Sequence, residues 1–206
     1  MRTILIDGDI IVYQQAFLHQ KEIDWGEGVV TTVTQDALAK KAAVDQVERY
    51  KRKLKADHAI VCLSDPERNW RKQVMPSYKT NRKKHERPIL YDTIRDMLDD
   101  RAEVALYPWL EADDVMGFYS TDTMLVPGEK IIVSMDKDMR SIPGKLFNPN
   151  KESLGVQVIS EFEADLFHMK QTLMGDPIDG YYGIKGIGPK KAEKILAEAL
   201  EMGDEK

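Results

Sequence analysis

The chain of 206 residues is long enough for one α/β domain with a small appended helical element. Its composition, 42% hydrophobic and 32% charged, is typical of a soluble globular protein, and no apolar run reaches the ~18 residues that a membrane span needs. We expect no secretory signal, because the N-terminus soon becomes acidic, and the lone Cys62 excludes an internal disulfide and fits a reducing cytoplasm. The net charge of −5 argues at first against a nucleic-acid partner, unless the charges are segregated along the chain.

Short apolar runs alternate with helical patterns along the first 160 residues. Residues 25–34 favour a β-hairpin or an irregular insertion, because they are rich in glycine and β-branched side chains. The predicted strands are 3–6, 58–63, 102–107 and 130–134. The predicted helices are 9–20, 35–55 and one that begins near Glu111. This alternation predicts an α/β fold with a mainly parallel central sheet flanked by helices.

The pattern changes after residue 160. Residues 161–174 predict a helix with Gly175 as its C-terminal stop, and Pro189 suits the first turn of a second helix. A glycine-rich loop lies between them, and no strand is expected in this part. We therefore divide the chain into an α/β core at 1–160 and a C-terminal element at 161–206.

Acidic residues follow the predicted strands of the core. Because the carboxyl ends of parallel strands share one edge of a sheet, acids that are distant in sequence are expected to converge there. Asp136 and Asp138 are two residues apart and would lie on the same side of an extended segment. The acids of the core are Asp7, Asp65, Glu111, Asp113, Asp114, Asp136 and Asp138.

Each acid also has an ordinary explanation. A single Asp after a strand is more often a turn former or a helix N-cap than a ligand, and Asp113 with Asp114 could simply favour a helix N-terminus. Asp176 could be a cap, although it would share a face of a helical turn with Asp179. The joint occurrence favours a metal site, since clustered carboxylates repel one another unless cations neutralise them. Their hard oxygen ligands select Mg²⁺ or Mn²⁺, and two such ions about 4 Å apart suit phosphodiester hydrolysis.

Five motifs span nearly the whole chain: LIDGD (5–9), YKTNR (78–82), LEADDV (110–115), SMDKD (134–138) and GDPIDGYYGIKGIGPKKA (175–192). In this order they resemble the flap endonuclease / 5′-3′ exonuclease family, which includes phage 5′ nucleases and the 5′ nuclease domain of bacterial DNA polymerase I. The segments 25–28 and 64–74 look most like the small phage exonucleases. The resemblance implies a PIN-like, resolvase-like 5′ nuclease core followed by a helix–three-turn–helix element.

The resemblance also implies two groups of ligands for two Mg²⁺ or Mn²⁺ ions. Asp9 departs from the commoner family pattern and would be a helix cap or a group next to the ligands. The first metal would be held by Asp7, Asp65, Glu111 and Asp113. The second would be surrounded, partly through water, by Asp114, Asp136, Asp138, Asp176 and Asp179. Setting aside these nine negative charges turns the net charge of −5 into +4, which suits a DNA partner.

A basic segment follows Asp65. Between Arg68 and Arg87 the chain carries eight Lys or Arg against one acid, with two aromatic residues between them. A solvated loop is the usual explanation of such a run, but its position favours contacts with phosphates and unpaired bases. In the family this region, about 68–90, forms an arch over a single 5′ strand. The resemblance makes Lys79 and Arg82 catalytic, and the DNA-binding candidates are Arg71, Lys72, Tyr78, Lys83 and Lys84, with Tyr78 equally suited to packing.

The C-terminal loop GIKGIGPKKA suits a phosphate, because glycines and a helix N-terminus present backbone N–H groups to an anion. A structural tight turn would be the default explanation of Gly-x-Gly alone. In the family the helix–three-turn–helix grips duplex DNA and holds a monovalent cation, often K⁺, on loop carbonyls. Members usually continue for several tens of residues beyond it, which puts affinity and processivity in question here. The DNA-binding candidates of this loop are Lys185, Gly186, Gly188, Lys190 and Lys191.

These patterns together predict a metal-dependent 5′-3′ exonuclease or flap endonuclease that hydrolyses DNA phosphodiesters. We expect a monomer in the cytoplasm, the host cytoplasm if a phage encodes it, that acts on duplexes with a 5′ end or a 5′ flap. RNA in an RNA–DNA hybrid is an additional substrate that the sequence leaves open. The alternatives are a non-catalytic, structure-specific DNA-binding protein with the same fold, and a PIN-like ribonuclease.

Overall fold

The computed structural model describes residues 1–81 and 87–204, so Arg82, Lys83 and Lys84 lie outside the described residues. Two short 3-10 helices cover Lys137–Ser141 and Pro149–Leu154. The strands are β1 Arg2–Asp7, β2 Gln20–Asp24, β3 Val30–Thr34, β4 His58–Leu63, β5 Glu103–Leu106, β6 Glu129–Val133, β7 Gly144–Phe147, β8 Val156–Ile159, β9 Gly175–Asp176 and β10 Tyr181–Tyr182. The helices are α1 Gly8–Leu18, α2 Asp36–Leu54, α3 Trp70–Val74, α4 Tyr91–Arg101, α5 Ala112–Thr121, α6 Glu161–Met174 and α7 Pro189–Asp204.

Six strands form the central sheet in the order β5-β4-β1-β6-β7-β8, and all neighbours are parallel except β7 and β8. The predicted mainly parallel α/β fold is therefore confirmed. The antiparallel edge, β7 with β8, was not predicted. From β1 the chain continues outward through β4 and β5, and then returns to add β6 on the other side. This reversal leaves a crevice at the carboxyl ends of β1 and β6, the usual ligand position of such sheets.

Side chains of β1 alternate between two cores, one on each face of the sheet. Ile4 and Ile6 pack against α1, α2 and α4, whereas Leu5 packs with α5 and Cys62 on the opposite face. Cys62 is fully buried, as the sequence predicts. Burial on both faces explains why β1 is a continuous apolar run without polar alternation.

Gly8 allows α1 to begin directly over the sheet. A Cβ at this position would lie 2.5 Å from Val61 Cγ1 and 2.8 Å from the carbonyl oxygen of Cys62 in β4. Only a glycine lets the helix start this close to the strand, and the turn after Asp7 therefore points into the crevice.

The remaining predictions differ in detail. The segment 25–34 contributes to a hairpin, but its first strand is β2, before Trp25. The C-terminal part contains the two-residue strands β9 and β10, so the expectation of no strand there was wrong. That the segment from α6 to α7 forms a helix–three-turn–helix element that binds DNA stays a prediction. None of the helices in the described part of the chain combines the length and the apolar character that crossing a bilayer requires.

Candidate active site

Asp7 lies at the carboxyl end of β1 and caps α1. Its carboxylate accepts hydrogen bonds from Ile10 N at 3.2 Å and from Ser134 Oγ at 3.0 Å. Burial, followed by the charges of Asp9 and Asp136, raises the pKa of Asp7 to about 7. A cation in the crevice would therefore stabilise the ionised carboxylate of Asp7.

Asp113 points toward the same crevice from the first turn of α5. Burial raises its pKa well above the ordinary value, and the charges of Asp7, Asp136 and Glu111 raise it further. Within the described residues, no hydrogen bond reaches its carboxylate. Because the charges of Asp7 and Asp136 both act on Asp113, these three carboxylates from separate elements lie near one another at the sheet edge, as the strand order predicts.

Asp136 and Asp138 follow β6, but not on an extended segment. Asp136 caps the 3-10 helix that starts at Lys137, and its side chain accepts from Asp138 N at 2.8 Å. The argument from extended geometry was therefore wrong, because the cap turns the backbone. Asp138 instead accepts from Gln171 Nε2 of α6 at 2.5 Å, and burial together with Asp136 raises its pKa.

Asp176 and Asp179 lie in β9 and in the turn before β10, so the expected helical turn was wrong. Asp179 N donates to the carbonyl oxygen of Asp176 at 3.2 Å, which closes a tight turn. Asp176 Oδ2 lies 2.7 Å from Lys137 Nζ. Burial opposes ionisation of Asp176, but the hydrogen bond and charge of Lys137, together with hydrogen bonds from the backbone N–H groups of Ile178 and Asp179, outweigh it and lower the pKa.

Glu111 receives two side chains from the basic segment. Tyr78 Oη donates to Glu111 Oε2 at 2.9 Å, and Lys79 Nζ donates to Glu111 Oε1 at 2.8 Å. Lys79 has a positive φ of 58° and its backbone N–H donates to the carbonyl oxygen of Asp179 at 2.9 Å. The base of the basic segment is thereby attached both to α5 and to the C-terminal turn.

Tyr78 is only 7% exposed, so its ring is not available for base stacking in this structure. Its hydroxyl also lies 3.3 Å from Asp179 Oδ2. Burial and the charge of Glu111 raise the pKa of Tyr78, which keeps the hydroxyl a donor to both carboxylates. The structure therefore favours packing, one of the two roles considered for Tyr78, over DNA stacking.

Arg71 faces the carboxylates rather than solvent. Its guanidinium forms two parallel hydrogen bonds to Asp114, at 2.7 and 2.8 Å, and lies 3.1 Å from Glu111 Oε2. The neighbouring Lys72 is exposed and remains suited to a phosphate contact. Among the described residues, protein acceptors thus occupy Arg71 but not Lys72.

Asp65 anchors the loop before α5. Its carboxylate accepts from Trp109 N at 2.8 Å, from Glu67 N at 3.0 Å and from Arg68 Nε at 3.1 Å. The hydrogen bonds from the backbone N–H groups of Trp109 and Glu67 lower its pKa to about 2. Its assignment to the first metal stays a prediction.

Asp9 is not a helix cap, because Asp7 has that role. Its carboxylate accepts from Ser64 N at 3.4 Å and lies 3.8 Å from Arg95 Nη1. Arg95, from α4, also donates to the carbonyl oxygen of Ser64 at 2.5 Å. Asp9 therefore contacts the β4 end of the crevice, and its role next to the metal ligands stays a prediction.

The C-terminal loop is exposed. Gly186 has a φ of +82°, which favours glycine, and its carbonyl oxygen accepts from Lys191 Nζ at 3.0 Å. A Cβ at Gly188 would meet no atom within 4 Å. Lys185 and Lys190 are exposed. Nothing in this geometry prevents a phosphate from approaching the loop.

A cavity of about 690 Å³ opens beside the carboxylates, between α3, α5 and α6. Acidic side chains on its wall come from α5, from the 3-10 helix and from the C-terminal turn. The aromatic side chains of Trp70 and Tyr181 also line the cavity. The acids that line it are Glu111, Asp113, Asp114, Asp138, Asp176 and Asp179.

No three acidic, His or Cys side chains of the described residues stand in an arrangement ready to ligate a metal. Basic side chains among the described residues instead neutralise part of the cluster, including Arg71 and Lys79 at Glu111 and Lys137 at Asp176. The sequence interpretation missed Lys137, although its place between Asp136 and Asp138 was visible. The donor set still fits a hard divalent cation, since Asp7 and Asp113 repel one another without one.

Relatives of the chain are phage and bacterial nucleases. The Escherichia phage T7 exonuclease is 32% identical over 200 residues, which cover 90% of this chain and 63% of that protein. The flap endonuclease Xni of Shewanella baltica is 30% identical over 148 residues, 68% of this chain and 56% of that protein. The chain thus spans less than two thirds of the length of these relatives.

The fold has counterparts among solved structures. The phage T5 5′-exonuclease superposes with a TM-score of 0.69 at 15% identity, over 96% of this chain and 72% of that chain. At this identity the similarity shows the fold alone. The family model described as 5′-3′ exonuclease, N-terminal resolvase-like domain, matches residues 2–165. The chain therefore belongs to the 5′-3′ exonuclease family and contains its N-terminal resolvase-like domain.

Proposed function

We propose that the chain is a divalent-metal-dependent nuclease that hydrolyses DNA phosphodiesters at a 5′ end or a 5′ flap. The observation that carries this proposal is the pair of buried carboxylates Asp7 and Asp113 at one sheet edge, both next to the charge of Asp136, in a chain of this family. Buried carboxylates beside like charges form a site that a divalent cation stabilises.

The names of the relatives support the reaction class. They include an exonuclease of phage T7, an exodeoxyribonuclease of phage T3 and a bacterial flap endonuclease. Phage T5 flap endonuclease structures contain metal ions and, in one case, DNA. We infer a metal cofactor and a DNA substrate for this chain, and propose Mg²⁺ or Mn²⁺ as the ions.

The proposed ligands form the two groups that the family resemblance implies. Asp7, Asp65, Glu111 and Asp113 would hold one ion, and Asp114, Asp136, Asp138, Asp176 and Asp179 would surround the other. When bound, two such ions would activate water and stabilise the leaving oxygen of the phosphodiester. Tyr78 orients Glu111 through its hydroxyl.

Lys79 carries a positive charge at the edge of the cluster, on the side of the basic segment. We propose that it stabilises the negative charge that develops on the scissile phosphate. Arg82, outside the described residues, is proposed to clamp the same phosphate. Lys72, Lys83 and Lys84 would contact the backbone of the displaced strand.

The C-terminal loop is proposed to hold the duplex. Gly186 and Gly188 leave room for a phosphate, and Lys185, Lys190 and Lys191 supply charge. K⁺ on loop carbonyls is a further proposal, and so are a monomeric state and activity on RNA–DNA hybrids.

The test is cleavage of a 5′-labelled flap and of a 5′-labelled blunt duplex with Mg²⁺ or Mn²⁺, and with EDTA as control. We expect metal-dependent cleavage that Asp136→Ala abolishes. The first product separates the activities, because an exonuclease releases a mononucleotide and a flap endonuclease releases the whole flap. DNA binding without cleavage would support the non-catalytic alternative, and cleavage of single-stranded RNA alone would support the ribonuclease.

A further inference from the structure

Asp113 and Asp114 are neighbours in sequence with opposite surroundings. No hydrogen bond from the described residues reaches the carboxylate of Asp113. Asp114 accepts four: two from Arg71 at 2.7 and 2.8 Å, one from Trp70 Nε1 at 3.2 Å and one from Glu111 N at 2.9 Å. Three of these donors reach Oδ2 and one reaches Oδ1, so protein donors occupy Oδ2 fully and Oδ1 once, with about two lone-pair sites on each oxygen.

Arg71 is held as firmly as its partner. Its guanidinium lies 4.8 Å from the centre of the Trp70 ring and 5.8 Å from that of Tyr78. Its side chain is 27% exposed and that of Asp114 is 18% exposed. A planar fork between two rings, with a bidentate acceptor, is an arrangement that arginine forms and lysine cannot reproduce.

We infer that Asp114 is not a metal ligand, and that Asp114 and Arg71 form a brace that fixes α3 against the N-terminus of α5. This inference rests on the proposed metal-dependent function of the site. It replaces the assignment of Asp114 to the second metal and that of Arg71 to DNA. Arg71 is a positioning residue, because it acts through Asp114 and Glu111 and does not touch the reacting atoms.

The brace has a consequence for the site. Asp114 Oδ2 accepts from the backbone N–H of Glu111 while it holds α3, so one carboxylate joins the base of the basic segment to a proposed ligand. Arg71 Nη1 also lies 3.1 Å from Glu111 Oε2, so Arg71, Asp114 and Glu111 all contact one another. The brace therefore fixes both the position of the base of the basic segment and the orientation of Glu111.

The competing interpretation is that Arg71 only occupies Asp114 until a metal arrives. The two interpretations predict opposite signs for Arg71→Gln. If Arg71 competes with the metal, its removal frees a ligand and tightens divalent-ion binding. If Arg71 braces the site, its removal loosens Glu111 and weakens metal binding by about 10- to 100-fold, and Asp114→Asn does the same.

The first experiment is calorimetric titration of Mn²⁺ into the metal-free protein without DNA. We expect Arg71→Gln, Asp114→Asn and the double variant to weaken binding by the same factor, whereas Asp113→Asn abolishes it. Lys21→Gln, which removes an exposed charge on β2, serves as control and should bind Mn²⁺ as the wild type does. Tighter binding by Arg71→Gln, or loss of binding in Asp114→Asn comparable with that in Asp113→Asn, would overturn the inference.

The second experiment is a thermal unfolding cycle in EDTA, which needs neither metal nor activity. Each single variant should lower the Tm by about 4 to 8 °C, and the double variant by no more than either one. Additive losses would overturn the brace. Absence of Mn²⁺ binding to the wild type would instead overturn the proposed function, and the unfolding cycle would still decide on the brace.

Discussion

Lys137 Nζ lies 2.7 Å from Asp176 Oδ2 and 4.0 Å from Asp138 Oδ1. The ammonium group thus joins the 3-10 helix after β6 to the first residue of the C-terminal turn. The hydrogen bond to Asp176 raises the pKa of Lys137, so the group stays charged. It serves as a counter-ion inside the second proposed ligand group.

Lys137→Gln should lower the stability of the metal-free protein and increase the rise in Tm that Mn²⁺ causes. Without metal the variant should lose about 0.5 kcal/mol, since the lysine is half exposed. Mn²⁺ should then raise its Tm more than that of the wild type, because no ammonium competes for Asp176. Unfolding scans with and without Mn²⁺ measure both effects, and Lys137→Arg serves as the charge-retaining control. An equal Mn²⁺ shift in Lys137→Gln and wild type would show that Lys137 does not compete.

Asp7 should make the metal-free protein less stable as the pH rises. Its folded-state pKa of about 7 lies above the unfolded value of ~3.9, so the folded chain binds the extra proton between these limits. Stability from this proton is present below pH ~4 and is lost as the pH approaches 7, with an upper limit of about 4 kcal/mol. Asp7→Asn should flatten the dependence and stabilise the metal-free chain at pH 8.

Urea unfolding in EDTA at several pH values measures this dependence. The exposed Asp99→Asn is the control and should leave the wild-type profile unchanged. A wild-type stability that rises between pH 5 and 7, with the same slope in Asp7→Asn, would contradict the assignment.

Much of the fold was predictable because burial on both faces gives continuous apolar strands, as in β1. The edge strands β7 and β8 were missed, since each has four residues and no long apolar run. Helix capping by single side chains was also missed: Asp136 caps a 3-10 helix where an extended segment was expected. Among site residues, convergence of Asp7 and Asp113 followed from strand topology alone. The partner of Arg71 did not, because nothing local relates it to a residue 43 positions away.

Lys79→Gln should slow cleavage more than it weakens binding. Its ammonium contacts Glu111 at the site, so its loss should lower the single-turnover rate by about 10²- to 10³-fold with a small change in the Kd for a 5′ flap. Lys72→Gln, exposed on α3, should instead weaken binding and reduce its salt dependence. Quench-flow rates and salt-dependent Kd values separate the two. A change in Kd alone for Lys79→Gln would assign Lys79 to binding.

Gly175→Ala should disrupt the C-terminal turn while leaving the core folded. Gly175 has a φ of +76°, and a Cβ there would lie 2.2 Å from Gly183 N and 2.7 Å from the carbonyl oxygen of Tyr181. These are backbone atoms that cannot move aside, so β9 and β10 must separate. Asp176 and Asp179 would then lose their positions, and we expect weaker duplex binding together with weaker Mn²⁺ binding.

Gly188→Ala is the matched control for this change, because a Cβ at Gly188 meets no atom within 4 Å. It should retain the Tm and the Mn²⁺ affinity of the wild type. Its duplex affinity should fall only if a phosphate approaches the Gly188 backbone, as proposed for the C-terminal loop. Hydrogen exchange of residues 175–183 reports the disruption directly. Unchanged protection in Gly175→Ala would mean that the turn accommodates the methyl group, and the coupling between turn and ligand group would be refuted.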